Sequence, residues 1–312
     1  MLDIISVGPG EAVLLTDDAK QAIDRADAVW CAARHAVLVP PEKARPLSPL
    51  EGAIEQMRLS SDAGQSAAVL VSGDAGLYSL LEMLKRKIGG EYLRVHPGVS
   101  ALQLFAARLG VSWQDAKILS AHGRALSESA LCHAVRTHRQ TFCFLDAAHN
   151  PAWVRESLNL GGLENVRLFV GERLSYPDER TEAYDPDATY DPLCMAYIEN
   201  DAPESGLPPV GLSDEAFIRG KTPMTKRDVR ALVVSALHLK PNGVVWDIGA
   251  GTGSVSVECA RQCPLGEVYA VEMKDEALDL IRRNAERFHA LNLRVVPGRA
   301  PEVLSALPAP DA

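Results

Sequence analysis

Aromatic side chains are scarce in this chain, 5% of 312 residues, and cysteine occurs only six times, at positions 31, 132, 143, 194, 259 and 263. With no Cys-x-x-Cys pair and no secretory leader, these thiols are expected to be reduced core residues rather than disulfides or zinc ligands. Nor is there an apolar run near the roughly 20 residues that a membrane-spanning helix needs. The longest, Ala231 to Leu239, is broken by Ser235 and His238, so no membrane partner is expected. The start, Met1-Leu-Asp-Ile-Ile-Ser-Val-Gly, lacks a basic stretch and reads as a strand, which gives a cytoplasmic location as the expectation. Clusters of Lys and Arg are missing too, and with them the phosphate-tracking surface of a nucleic-acid binder. The histidines (35, 96, 122, 133, 138, 149, 238 and 289) lack the spacing of a metal triad, so no metal is expected.

The length suits about two globular units at roughly 100 to 200 residues each. The net charge of −9 lies wholly in residues 1–210, because residues 211–312 carry 13 basic and 13 acidic side chains. Nine carboxylates between Tyr176 and Glu204, with Arg180 as the single side-chain cation among them, read as a solvated face. Short β-branched runs at 2–7, 67–71, 92–95, 141–145, 166–170, 244–248, 267–271 and 293–296 alternate with amphipathic stretches, the pattern of an α/β fold. Thr16 is expected to cap a helix whose first turn holds Asp17 and Asp18, and Asp275 another. Asp201-Ala-Pro-Glu-Ser-Gly-Leu-Pro-Pro-Val-Gly reads as a linker. The expected division is 1–204, a linker at 205–212, and 213–312.

Val244-Val-Trp-Asp-Ile-Gly-Ala-Gly-Thr-Gly-Ser-Val-Ser-Val-Glu reads as strand, glycine turn and helix. Such a turn lets a ligand approach the backbone, and the helix start offers free N–H groups. The third glycine comes one residue too early for a dinucleotide fingerprint. Glu272, 19 residues after Gly253, ends the next strand, where a carboxylate can accept both hydroxyls of a ribose. A nucleoside cradle without a pyrophosphate requirement follows.

Asp247 to Gly253 with Glu272 resembles motif I and the acidic position of class I S-adenosylmethionine-dependent methyltransferases. Gly211 to Arg230, Val268-Tyr-Ala-Val-Glu and Gly298-Arg-Ala-Pro-Glu narrow the likeness to the C15-methylating, decarboxylating domain of cobalamin biosynthesis. The resemblance implies that Thr225, Asp247, Gly249, Ala250, Gly251, Thr252, Gly253, Glu272 and Ala300 bind the cofactor. It also implies a partial Rossmann-like sheet: of seven strands in the order 3-2-1-4-5-7-6, only strands 1 to 3 precede Pro310-Asp-Ala. Strand 1 is then expected to be an exposed edge, and the domain incomplete and not competent for catalysis.

Val7-Gly-Pro-Gly, Ser72-Gly-Asp-Ala-Gly-Leu-Tyr, His96-Pro-Gly-Val-Ser and Ser120-Ala-His-Gly-Arg, in that order, resemble the tetrapyrrole methylase family (class III), particularly its C5-methylating cobalamin branch. Asp146, Asn150-Pro-Ala-Trp and Gly171 to Arg180 extend the likeness. It implies two α/β subdomains with a break near Gly110. Gly73, Asp74, Gly76 and Tyr78 would form the main cofactor loop, Pro97, Gly98, Ser100 and Ala101 would cover its other side, and Gly8, Pro9 and Gly10 would face the substrate. Ala75 stands where the family usually has Pro. His122 and Arg124 are candidates for positioning a macrocycle, Arg by pairing with a propionate or acetate arm.

Together the resemblances imply an enzyme that uses S-adenosylmethionine to methylate a tetrapyrrole, a precorrin, at C5 and C15 with loss of the C12 acetate carboxyl, as a homo-oligomer. Two other readings remain open on the residues alone. One is an NAD-type oxidoreductase using the Asp247–Gly253 loop; the other is a non-catalytic tetrapyrrole carrier or assembly subunit.

Overall fold

The computed structural model describes residues 1–312 as thirteen strands and nine α-helices. In chain order these are β1 (Leu2–Ser6), α1 (Asp17–Arg25), β2 (Ala28–Cys31), β3 (Ala44–Pro46), α2 (Leu50–Asp62), β4 (Ala67–Val71), α3 (Leu81–Ile88), β5 (Leu93–His96) and α4 (Ala101–Leu109). Then follow β6 (Lys117–Ser120), α5 (Glu128–Thr137), β7 (Gln140–Phe144), α6 (Pro151–Leu160), β8 (Arg167–Glu172), β9 (Arg180–Ala183) and β10 (Cys194–Glu199). The chain ends with α7 (Arg227–Ala236), β11 (Val244–Ile248), α8 (Ser254–Gln262), β12 (Glu267–Glu272), α9 (Asp275–Arg287) and β13 (Leu293–Pro297). Residue contacts divide the chain into Met1–Asp115 with Phe169–Met195, and Ala116–Leu168 with Ala196–Ala312. The first cut falls five residues after Gly110, which ends α4 in a left-handed turn.

The first sheet is parallel, in the order β3-β2-β4-β1-β5. Every residue of β1 and β4 is buried, as expected of strands covered on both faces. Leu2, Ile4, Val69 and Val71 pack on one face with Met57 and Leu84, and Ile5, Val7 and Leu70 pack on the other with Ala19 and Ile23. Thr16 caps α1 as expected, its hydroxyl accepting Ala19 N–H at 3.1 Å. β3 is a three-residue edge strand ending in Pro46, too short for periodicity to reveal. The second sheet, β6-β7-β10-β8-β9, is mixed: β6 and β7 run parallel, β8 and β9 antiparallel.

The third sheet is parallel, β11-β12-β13, with its core around Val245, Val257, Val268 and Ile281. It has the expected 3-2-1 order of strands. The free side of β11 is not bare, however. Trp246 N–H donates to Ala312 O at 3.0 Å and Asp311 N–H to Val244 O at 2.7 Å, so the last residues lie along the first half of that strand. Only its far end, at Ile248, is open. The expected cap at Asp275 also gives way, because Asp275 is already inside α9 and no side chain caps the helix. The carboxylate of Glu272 accepts Met273 and Lys274 N–H at 2.8 and 3.1 Å, ordering the turn that leads into α9 without capping its first-turn N–H groups.

All six cysteines are free and buried. No helix is long and apolar enough to cross a membrane. The acidic run is more than a solvated face: Asp178 pairs with Arg173, Glu179 with Arg108, Asp201 with Arg167 and Glu204 with Arg136.

Candidate functional site

The structure gathers most of the candidate cofactor-binding residues into two clusters, each at the carboxyl ends of parallel strands, the edge where open α/β sheets bind ligands. In the first, the loops after β1, β4 and β5 meet because those strands are neighbours. Gly8 N–H donates to Gly73 O at 3.2 Å and Gly73 N–H to Gly8 O at 2.7 Å, a reciprocal bridge joining the Gly8-Pro9-Gly10 turn to the 72–78 loop. Asp74 ties that loop to the third one: Oδ1 accepts Gly76 N–H at 2.8 Å and Oδ2 accepts Gly98 N–H at 3.3 Å. Ala75 N–H donates to the buried Ser6 hydroxyl at 2.9 Å, a bond that proline, the family's usual residue there, could not make. Tyr78 sits half-exposed with φ +51°, a left-handed conformation rare for its type. Ser100 caps α4 in a capping box with Gln103, placing Pro97 and Ala101 on either side of the turn.

Gly98 is required by space. A Cβ there would lie 2.7 Å from Ser6 Cβ and 2.8 Å from Ser6 O, and backbone cannot yield cheaply. Gly98→Ala is expected to cost about 1 to 3 kcal/mol, the usual range for overpacking. Thermal melting should show this loss; an unchanged melting temperature would mean the loop shifts freely.

His96 proves to be a buried structural link at the end of β5, its Nδ1 2.5 Å from Asp18 Oδ2 and its Nε2 3.1 Å from Asp3 Oδ1. The hydrogen bond to His96 holds the Asp18 carboxyl below its usual range. His35 is fully buried, and burial together with the neighbouring Arg34 charge lowers it to about 4, so its imidazole is neutral.

The second cluster lies at the ends of β11 and β12. Gly249, Gly251 and Gly253 all have positive φ (77°, 58° and 75°), which explains three glycines in five residues. Gly249 has open space where a side chain would stand, so the loop backbone is reachable by a ligand. At Gly253 a Cβ would come 3.1 Å from Ile281, so this residue serves the close packing of α8 on α9. Glu272 accepts Gly251 N–H on Oε2 at 3.0 Å, while its Oε1 takes the two N–H groups of Met273 and Lys274. Burial opposes its charge, but these three donors prevail and hold the carboxyl below its usual range. A fixed carboxylate with acceptor capacity left on Oε2 suits a ribose hydroxyl. Asp247 is half-buried; burial pushes its carboxyl up, against a hydrogen bond from Ser256 at 2.5 Å.

Thr222 and Pro223 pass within 3.6 Å of where a Gly251 side chain would be, which brings the segment with Thr225 over the loop. Gly298 N–H donates to Glu272 O at 2.9 Å, which ties the turn two residues before Ala300 to the end of β12. Thr252 is buried, its carbonyl accepting Asn284 Nδ2–H at 2.9 Å, and Ala250 N–H donates to Val271 O at 3.1 Å.

His122 and Arg124 occupy a separate, exposed turn after β6, around Gly123 with φ +65°. The sequence reading missed Arg230 and Glu258. Arg230 has no exposed surface and donates from Nε to Glu258 at 2.6 Å, from Nη1 to Thr225 O at 2.6 Å and from Nη2 to Leu212 O. A charged residue in an amphipathic helix reads as surface, so only the motif around it could have drawn notice.

Comparison with known proteins agrees with this geometry. Residues 1–185 match the tetrapyrrole (corrin/porphyrin) methylases, and residues 215–312 match a precorrin methyltransferase domain. A Sinorhizobium protein described as precorrin-6Y C(5,15)-methyltransferase [decarboxylating] is 33% identical over all of this chain and 77% of its own length. A Pyrobaculum calidifontis protein described as a probable cobalt-precorrin-6B C(15)-methyltransferase (decarboxylating) is 50% identical over 32% of this chain and 53% of its own. The chain thus spans about half the length of this C(15) relative. Among solved structures, a uroporphyrin-III C-methyl transferase from Thermus thermophilus, complexed with S-adenyl homocysteine, shares the fold over 64% of this chain and 96% of its own, with a TM-score of 0.52 at 18% identity.

Proposed function

Because the chain belongs to the precorrin-6Y C(5,15)-methyltransferase (decarboxylating) family, its first 185 residues to the tetrapyrrole methylases, we propose that it methylates a precorrin at C5 and takes part in C15 methylation with loss of the C12 acetate carboxyl, in cobalamin biosynthesis. The carrier and oxidoreductase readings are not favoured. The observation that carries this reading is the presence of two separate glycine-loop clusters in one chain, each with a fixed carboxylate, Asp74 and Glu272.

S-adenosylmethionine supplies a methyl group already activated on sulfonium, so transfer needs no covalent enzyme intermediate. The protein's task is to bring the nucleophilic carbon to roughly 3 to 3.5 Å in line and to exclude water. In the N-terminal part, Gly73, Asp74, Gly76 and Tyr78 would hold the cofactor from one side and Pro97, Gly98, Ser100 and Ala101 from the other, with Gly8, Pro9 and Gly10 facing the macrocycle. In the C-terminal part, Gly249 to Gly253 would receive the cofactor, Glu272 the ribose, and Asp247, Thr225 and Ala300 the rest. His122 and Arg124 would position the substrate. The division of labour follows residues 1–204 for C5 and 213–312 for a part of the C15 site, joined by 205–212. The working form is a cytoplasmic homo-oligomer.

Calorimetric titration with S-adenosylhomocysteine, the demethylated product, tests the reading. Two sites are expected on the chain. Gly73→Val, which forces a branched side chain into φ +68°, removes one, and Glu272→Ala removes the other. Absence of binding by the unaltered chain would overturn it.

A further inference from the structure

Arg34 departs from the other arginines near the first cluster. It follows β2, its side chain is exposed, and no carboxylate pairs with it. Two neutral groups hold it instead: Nε donates to His35 Nε2 at 3.2 Å and Nη2 to Ser72 Oγ at 2.5 Å. His35 Nε2 also lies 2.8 Å from Ser72 Oγ, closing a ring of three side chains. The buried imidazole keeps its Nδ1 without a partner, a cost usually tolerated only where something is gained. Here the gain is direction without neutralisation. A carboxylate partner would fix the guanidinium and cancel its charge; an uncharged imidazole and a hydroxyl fix it and leave the full charge and the remaining N–H donors facing solvent. Ser72 is the residue before Gly73, so the guanidinium stands at the ends of β2 and β4, beside the loop of the first cluster.

We propose that Arg34, aimed by His35 and Ser72, is a carboxylate-binding residue of this site and takes an acetate or propionate arm of the tetrapyrrole. This rests on the methyltransferase reading above and adds a substrate contact to it. Arg34 is the binding residue, and His35 is a positioning residue that acts through it.

The probe is uroporphyrin III, a stable polycarboxylate macrocycle, titrated by tryptophan fluorescence into the full chain with S-adenosylhomocysteine present. Arg34→Gln is expected to weaken uroporphyrin binding about tenfold or more, a change of ~1.4 kcal/mol, and to flatten its dependence on salt, with S-adenosylhomocysteine affinity and melting temperature unchanged. His35→Leu should weaken the same binding, and His35→Gln, which keeps an acceptor, should restore it. Equal uroporphyrin affinity in Arg34→Gln and the unaltered chain overturns the proposal, as does no uroporphyrin binding by a chain that still binds S-adenosylhomocysteine. Binding of neither ligand overturns the methyltransferase reading itself.

Discussion

Replacing Arg230 by alanine is expected to destabilise the β11–β13 unit by about 3 to 5 kcal/mol, the range for removing one partner of a buried ion pair. Arg230 and Glu258 are 0% and 1% exposed, so neither charge reaches water. Glu258 also accepts Gly211 N–H at 2.6 Å and Leu212 N–H at 3.0 Å, while Arg230 reaches Asp214 Oδ1 at 3.3 Å and stacks over Phe217 at 4.6 Å. Without the guanidinium, the carboxylate stays buried with only backbone dipoles to offset it, and the 211–225 segment over the glycine loop loses its anchor. Glu258→Ala should cost a similar amount. Arg230→Met combined with Glu258→Leu should recover part of the loss, because no charge is then stranded, though the backbone groups of Gly211, Leu212 and Thr225 remain unpaired. Urea titrations of the three variants would measure this, and a single-variant loss below about 1 kcal/mol would contradict the argument.

A fall in stability of about 3 kcal/mol between pH 6.5 and pH 4 is expected from His35 alone. Its folded value, about 4, lies below the ordinary 6.5, so in that window the unfolded chain binds a proton that the folded chain refuses. Stability therefore falls as pH drops from 6.5, and this contribution is complete once pH is below 4. The lowered carboxyl of Asp18 acts in the same direction but later: its stabilisation is present above 3.8 and is lost as pH falls through its lower folded value. His133, which burial also holds below the ordinary 6.5, adds its loss in the same window as His35, so the His35 share is read from a variant. His35→Gln should make the fall between pH 6.5 and 4 smaller, leaving the share of His133, and leave the loss at lower pH in place. Chemical denaturation at half-unit pH intervals would show it, and parallel profiles for variant and unaltered chain would refute it.

What the sequence disclosed and what it hid divide along physical lines. The three glycines after β11 and those at 8, 73 and 98 stand where the backbone needs a positive φ or a close approach, and such demands leave a mark in the letters themselves. Buried strands such as β1 and β4 were readable from their apolar runs. Side chains that act at long range were not. Arg230 and Glu258 lie 28 residues apart and look like ordinary surface charges on two helices until the fold closes them together. His35 and Ser72, 37 residues apart, gave no hint of a shared ring. Asp275 read as a helix cap because its type and place fit, yet α9 begins at Asp275 itself with Lys274 at its N-cap, one residue earlier than a cap at Asp275 would put it. β9 and β10 were hidden inside the acidic run, where Glu182 of β9 pairs with Arg180 of its own strand and Glu199 of β10 with Arg167.

The paired amides of Gly8 and Gly73 have a consequence for motion. Two loops that point at a ligand from adjacent strands would ordinarily fray independently, each with its own small opening free energy. Joined by two reciprocal hydrogen bonds, they can open only together, and opening breaks both bonds at once. A molecule that orders the turn at Gly8 thereby orders the loop at Gly73, and the entropy of stilling the second loop has already been spent when the next molecule arrives. Substrate and cofactor would then favour each other's binding through shared loss of motion, with no change in the average structure.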